Sequence, residues 1–130
     1  ELIKDLEKIK FSTNPYSINR LTLTAGTAAI LSDDYYAEKC AEIISAREYT
    51  MTELKKLGFT VTDSFANFVV AKKDGVSGEY IYNKLREKGI LVRHFGGERI
   101  KEYNRITIGT PEQMNTFIAR VREILSEVQK

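Results

Sequence analysis

A helix that ends at a glycine and runs into a short apolar strand occurs twice in this chain. Gly58 closes the first helix and Gly89 the second, and glycine is favoured at this position because it adopts a left-handed backbone. Each unit continues through a strand, a turn and a further strand. The four strand segments are 59–62, 67–71, 90–95 and 104–108. This order predicts an α+β fold, a small sheet of about four short strands with helices packed on one side.

The remaining segments have helical patterns. Apolar residues at 2, 3, 6 and 9 predict an opening helix, and a chain that begins inside such a pattern resembles a piece of something longer. Residues 18–31 are apolar nearly all round, which predicts a buried helix. Ser32, Asp33 and Asp34 can cap a long helix over 35–57. Thr110, with proline next and Gln113 at the third position, forms a capping box for the last helix.

Composition excludes several functional classes. The net charge is only +2 across 130 residues, without the clustered basic stripe that nucleic-acid binding requires. No apolar run approaches the roughly 20 residues of a membrane span. A single cysteine, Cys40, excludes an internal disulfide and suits a reducing compartment, so we expect a cytoplasmic location. Its helical position favours a small buried hydrophobe over a reactive thiol.

Two strand segments each contain an arginine within otherwise apolar sequence. Arg93 and Arg105 are twelve residues apart and are joined by a polar loop that contains glycines. Burying an arginine is costly unless an anion meets it. Each could be a surface residue on a solvated sheet face. The alternative is a clamp, in which two planar guanidinium groups hold one carboxylate or phosphate.

Other candidates have weaker patterns. Asn67 could contact a ligand, although a turn residue at the strand entry is the simpler interpretation. Tyr16, in an Asn-Pro loop, could offer its hydroxyl to a ligand or only pack. His94 is the single histidine, and a metal site would need further ligands. Gly96-Gly97 lacks the phosphate-loop pattern and fits a hairpin connection. We therefore predict no metal site and no catalytic residue in this chain.

Five segments of the chain form a recognisable series when they are taken in order: 14–21 (NPYSINRL), 57–61 (LGFTV), 66–70 (ANFVV), 88–93 (KGILVR) and 105–112 (RITIGTPE). Together they resemble the histidinol-phosphate aminotransferases and, more broadly, the C-terminal part of class I/II, fold-type I, pyridoxal-phosphate (PLP) aminotransferases. The resemblance covers effectively the whole chain. It implies lead-in helices over residues 1–31, normally packed on a missing large domain, and an aminotransferase C-terminal small domain over 32–130.

The resemblance also implies a function, which is reversible amino transfer between histidinol phosphate and 2-oxoglutarate in histidine biosynthesis. In the family, an arginine at the position of Arg105 binds the acid group of the substrate, and one matching Arg93 helps hold the phosphate or carboxylate end. A homodimer or self-association is expected. The partner molecules would be a small acidic or phosphorylated amino-acid-like substrate and the missing domain.

The family's imine-forming lysine and the segments that hold PLP have no match in this sequence. PLP is therefore expected in the full-length enzyme and not on this chain, which alone should be inactive. Two alternatives remain open at this point. One is a free-standing anion-binding or interaction module without catalysis. The other is part of an enzyme resembling threonine-phosphate decarboxylase.

Overall fold

The computed structural model describes residues 1–128. The chain divides into two compact units, Glu1–Ala37 and the part from Glu38 onward. The helices are α1 (Leu2–Thr13), α2 (Arg20–Ile30), α3 (Asp33–Lys56), α4 (Gly78–Glu87) and α5 (Pro111–Val128), and the strands are β1 (Phe59–Val61), β2 (Phe68–Lys73), β3 (Arg93–His94) and β4 (Asn104–Thr107). None of the helices within residues 1–128 combines the length and the apolar character needed to cross a membrane.

The four strands form one antiparallel sheet in the order β1-β2-β4-β3. The predicted α+β class and the number of strands are confirmed. β3 is shorter than the predicted segment 90–95, since only Arg93 and His94 pair with β4. The amide of Ile90 donates instead to the carbonyl of Leu85 in α4 (2.9 Å).

Helices α3, α4 and α5 cover one face of the sheet, as predicted. Side chains on a strand alternate between faces, so Val69, Ala71 and Ile106 point towards the helices and are buried. The helices contribute further fully buried side chains to this core: Leu54, Leu85, Ile118, Val121 and Ile124. The burial of apolar surface between the sheet and these helices is the main driving force for folding.

The predicted helix ends are present. Gly58 and Gly89 have φ values of 77° and 78°, the left-handed conformation expected after a helix. The amide of Thr110 donates to Gln113 Oε1 (2.9 Å) and the amide of Gln113 donates to Thr110 Oγ1 (3.3 Å), which closes the capping box.

Two predictions about burial were wrong. Residues 18–31 were expected to form a buried helix, but α2 begins at Arg20 and has no buried residue, with Leu21 78% and Ile30 80% exposed. Its apolar side chains find no cover within the unit Glu1–Ala37. Cys40 was expected to be a small buried hydrophobe and is exposed, because the buried part of α3 begins only at Ala46.

A carboxylate of α3 links two helices. Glu53 accepts a hydrogen bond from Lys56 Nζ (2.7 Å) in its own helix and another from Arg122 Nη2 (2.5 Å) of α5. The Lys56 hydrogen bond and the nearby positive charges lower the pKa of Glu53 below its ordinary value of 4.5, although burial acts in the opposite direction.

This lowered pKa predicts acid sensitivity. A carboxyl whose pKa falls on folding stabilises the protein above the unfolded value, here 4.5, and that contribution is lost as pH falls through the folded value. We expect Glu53→Gln to reduce the difference in unfolding free energy between about pH 7 and about pH 3, measured by urea denaturation. Glu48→Gln, exposed on the same helix, is the matched control. An identical pH dependence in Glu53→Gln and wild type would contradict this assignment.

Candidate functional site

Arg93 and Arg105 lie directly opposite each other on neighbouring strands. The register of β3 and β4 pairs Arg93 with Arg105 and His94 with Asn104. Residues directly opposite in an antiparallel pair point to the same face, with Cβ atoms about 4.5 to 5.5 Å apart. The structure therefore brings together the two arginines that the sequence had separated by twelve residues.

The two arginines share the sheet face opposite α3, α4 and α5. Arg105 is also opposite Val70 of β2, and Val70 alternates with the buried Val69 and Ala71. Arg105 consequently points away from α3, α4 and α5, as does its partner Arg93. Arg105 is half-buried and Arg93 is exposed.

Each guanidinium group lies over an aromatic ring. The Cζ atom of Arg105 is 5.2 Å from the ring centroid of Phe68, and that of Arg93 is 5.4 Å from the centroid of Phe95. An aromatic face attracts a cation and restricts the guanidinium plane without using its N–H donors. The rings restrict the arginines without accepting a hydrogen bond from their N–H groups.

Neither arginine is neutralised within the described residues. No carboxylate among residues 1–128 lies within 4.0 Å of either guanidinium group. The Nε atom of Arg105 is buried and has no hydrogen-bond partner there. Like charges directly opposite each other destabilise a sheet, so an anion bound between them would relieve repulsion as well as satisfy donors.

The structure places Asn67 at the end of the same sheet. Its backbone carbonyl accepts a hydrogen bond from the amide of Ile108 (2.9 Å), which extends the β2–β4 pairing by one residue. Asn67 therefore lies where a turn residue at the entry of β2 is expected. The Asn67 side chain is exposed, so a ligand contact by this residue stays a prediction.

Tyr16 lies in the unit Glu1–Ala37 and is 83% exposed. Its amide donates to Asn14 Oδ1 (3.2 Å), which forms the turn expected around Pro15. The packing expected as its simpler role does not occur within the described residues. A ligand contact by the Tyr16 hydroxyl stays a prediction.

His94 belongs to the opposite face from the arginines. Its ring stacks on Tyr82 of α4 with centroids 5.8 Å apart. No group of three or more His, Cys, Asp or Glu side chains in residues 1–128 has the geometry of a metal site. Gly97 accepts a hydrogen bond from the amide of Ile100 (2.9 Å), and this turn lies in the connection from β3 to β4.

The sequence analysis did not identify two residues that make specific contacts in the structure, Phe68 and Arg47. Phe68 was treated only as a strand residue, although strand alternation puts it on the same face as Val70 and therefore beside Arg105. Arg47 of α3 was not singled out, yet it is buried and its Nη1 donates to the carbonyl of Ala66 (3.1 Å), just before β2. No sequence signal distinguished this arginine from its exposed neighbours on the same helix.

Three lysines of the described part do not fit an imine-forming role. The hydrogen bond to Asp74 raises the pKa of Lys72, the hydrogen bond to Glu87 raises that of Lys84, and the hydrogen bond to Glu127 raises that of Lys88. A lysine that attacks a carbonyl needs a neutral amine and hence a lowered pKa. No catalytic step is therefore assigned to these three lysines.

An apolar cavity of about 480 Å³ lies between the segment 89–92, the end of β4 and the start of α5. Ile90, Val92, Met114 and Phe117 are among its lining residues, and neither Arg93 nor Arg105 is. A negatively charged ligand needs hydrogen-bond donors or positive charges around it, and the lining of this cavity is mainly apolar. The candidate site is consequently the open sheet face around the two arginines.

Comparison with known proteins identifies relatives over the whole chain. The family model for aminotransferase class I and II matches residues 6–121. Histidinol-phosphate aminotransferase of Clostridium beijerinckii is 45% identical over 130 residues, covering 100% of this chain and 36% of the relative. That of Brachyspira hyodysenteriae is 43% identical over 124 residues, covering 95% and 35%.

A solved structure has the same fold. The crystal structure of histidinol-phosphate aminotransferase from Clostridium acetobutylicum matches with a TM-score of 0.77 and 26% identity, covering 92% of this chain and 37% of that one. The chain spans about a third of the length of the curated relatives that it matches.

Proposed function

Because the chain belongs to the class I and II aminotransferase family, we propose that it is the substrate-binding C-terminal domain of a PLP-dependent aminotransferase. The proposed reaction of the full-length protein is amino transfer between histidinol phosphate and 2-oxoglutarate, in histidine biosynthesis. The names of the relatives support this choice over a free-standing module and over a decarboxylase. The whole protein would act as a homodimer in the cytoplasm.

Within this proposal the chain has two parts. Residues 1–31 are lead-in helices that pack on the large domain, and residues 32–130 form the small domain, whose last two residues lie outside the described part. The exposed apolar side chains of α1 and α2 support a further protein surface over them, since exposed apolar patches mark interaction sites. The large domain would supply PLP and the imine-forming lysine, so this chain alone is expected to be inactive.

The observation that carries the proposal is the unneutralised pair Arg93 and Arg105 on the open sheet face. Arginine donates two parallel N–H bonds to a carboxylate or phosphate, which gives orientation as well as affinity. In this role Arg105, held by Phe68, grips the acid group, and Arg93 holds the phosphate or carboxylate end. Asn67 and Tyr16 are secondary candidates for contacts to the same substrate.

The test is binding of inorganic phosphate and histidinol phosphate to the 130-residue chain at low ionic strength, by calorimetric titration. We expect Arg105→Ala to weaken binding at least about tenfold, because a hydrogen bond to a charged group contributes about 1.5 to 3 kcal/mol. Arg105→Lys should recover only part of the loss, since lysine retains the charge but lacks the planar pair of donors.

Arg86→Ala is the matched control, because it removes the same charge from an exposed position at the end of α4. It should bind phosphate as wild type does, apart from a small effect that disappears when salt is added. Equal weakening in Arg86→Ala and Arg105→Ala would indicate only general charge attraction. No phosphate binding by the wild-type chain would also count against the arginine pair as an anion site.

A further inference from the structure

β3 is an edge strand of only two residues, and its pairing with β4 contains a repulsive contact. One of its two paired positions places Arg93 opposite Arg105, where like charges oppose each other. The segment before it, 90–92, adds no pairing to the sheet. Ile90 and Val92, just before the strand, pack against the core, and of the two paired residues only His94 can favour the pairing.

His94 has the contacts that this role requires. Its ring stacks on Tyr82 of α4, with centroids 5.8 Å apart and an angle of 29° between planes. Stacked aromatic side chains attract each other beyond the effect of burial alone. The contact joins β3 to a helix of the core, on the face of the sheet opposite the arginines.

The residue paired with His94 is fixed to the same helix. Asn104 is buried, and its Nδ2 donates to the carbonyl of Gly78 (2.8 Å), the first residue of α4. This bond orients the amide so that Oδ1 remains an acceptor, and both Asn104 Oδ1 and His94 Nδ1 are buried without a partner in the described residues.

We propose that His94 is a positioning residue for the anion site. It anchors β3 to α4 through the stack on Tyr82 and pairs with Asn104 of β4, and thereby holds Arg93 beside Arg105 against their mutual repulsion. The inference rests on the proposed function for its biological meaning, since the paired arginines are the proposed substrate clamp. It assigns to His94 no contact with the substrate and no part in proton transfer.

The decisive measurement is amide hydrogen exchange at residues 93–95 and 103–105 of the 130-residue chain, in the absence of ligand. We expect His94→Ala to speed exchange there about fivefold or more, the change that corresponds to loss of an aromatic contact. Adding Arg93→Gln removes the repulsion, and the double variant should return most of the way to the wild-type rate. If His94 had only a general structural role, the effects of His94→Ala and Arg93→Gln on the exchange rates would be additive.

Tyr82→Ala is a second variant, which removes the other ring of the stacked pair without changing the sequence of β3. It should speed exchange at the same amides as His94→Ala and should also be reversed by Arg93→Gln. Unchanged exchange in both variants, or no reversal by Arg93→Gln, overturns the proposal. His94→Phe retains the stack and should protect the amides better than His94→Ala.

Phosphate titration separates this inference from the proposed function. If the arginine pair binds phosphate, His94→Ala should weaken that binding about tenfold. The N–H donors of Arg93 and Arg105 would no longer be held at a fixed distance from each other. Unweakened binding in His94→Ala would overturn the positioning role. If the wild-type chain fails to bind phosphate, the proposed role of the arginine pair as an anion site is contradicted, and the exchange data alone decide whether His94 restrains Arg93.

Discussion

Replacing Leu54 by alanine is expected to lower the free energy of unfolding by about 2 to 5 kcal/mol. Leu54 is 0% exposed and belongs to the core between α3 and the sheet. Its removal loses the transfer energy of a buried side chain and leaves a cavity that the surrounding strands can fill only in part. The change is measured by urea denaturation followed by circular dichroism.

Leu91→Ala is the matched control for this prediction. It is the same chemical change, but Leu91 is 80% exposed, so the stability should change by no more than about 0.5 kcal/mol. Similar losses in the two variants would mean that the core does not lie where the structure places it. The comparison thereby tests the packing that supports β2 and β4, the strands on which the arginine site depends.

Gly78→Ala is expected to destabilise the protein by about 3 kcal/mol. A Cβ atom at this position would lie 2.6 Å from the carbonyl oxygen of Lys101 and 2.7 Å from the carbonyl carbon of Glu102. These are backbone atoms, so the contact cannot be relieved by turning a side chain. The start of α4 would have to move away from the residues that lead into β4, as measured by thermal and urea unfolding.

Gly26→Ala provides the contrast. This glycine lies inside α2, and a Cβ atom there meets nothing within 4 Å. Alanine favours a helix over glycine, so Gly26→Ala should be neutral or stabilising by up to about 1 kcal/mol. If Gly78→Ala were tolerated as well as Gly26→Ala, the close approach of α4 to residues 101–102 would be wrong.

The Gly78 contact also bears on function. The Gly78 carbonyl accepts the Asn104 side chain, and the Gly78 amide donates to Glu102 Oε2 (3.3 Å). Displacing α4 would disturb Asn104 and hence the strand that carries Arg105. We therefore expect Gly78→Ala to impair phosphate binding as well as stability. Leu91→Ala should leave stability nearly unchanged, as stated above.

Local patterns predicted the elements well because their causes are local. Gly58 and Gly89 mark helix ends through backbone conformation, and the Thr110–Gln113 capping box needs only residues three apart. Strand alternation accounts for the burial of Ile106 next to the half-buried Arg105. The same reasoning failed for α2 and Cys40, because burial depends on what lies over a surface and a single chain segment does not contain that information.

The arginine site was predicted in part. The sequence placed Arg93 and Arg105 in strands and indicated an anion as their partner. Their direct opposition depends on the register of β3 against β4, which pairs only two residues of each strand. Phe68 as the support of Arg105, and Tyr82 as the support of His94, follow from neighbours that are distant along the chain.

The amino-acid sequence by itself determined the α+β class, the helix ends and the presence of two arginines in apolar strands, because periodicity, capping and backbone preferences act over a few residues. Only the tertiary structure decided that these arginines face each other with no carboxylate of residues 1–128 beside them, on the sheet face opposite α3, α4 and α5. Pairing between distant strands and the covering of one face are properties of the packed chain, where each contact depends on all the others.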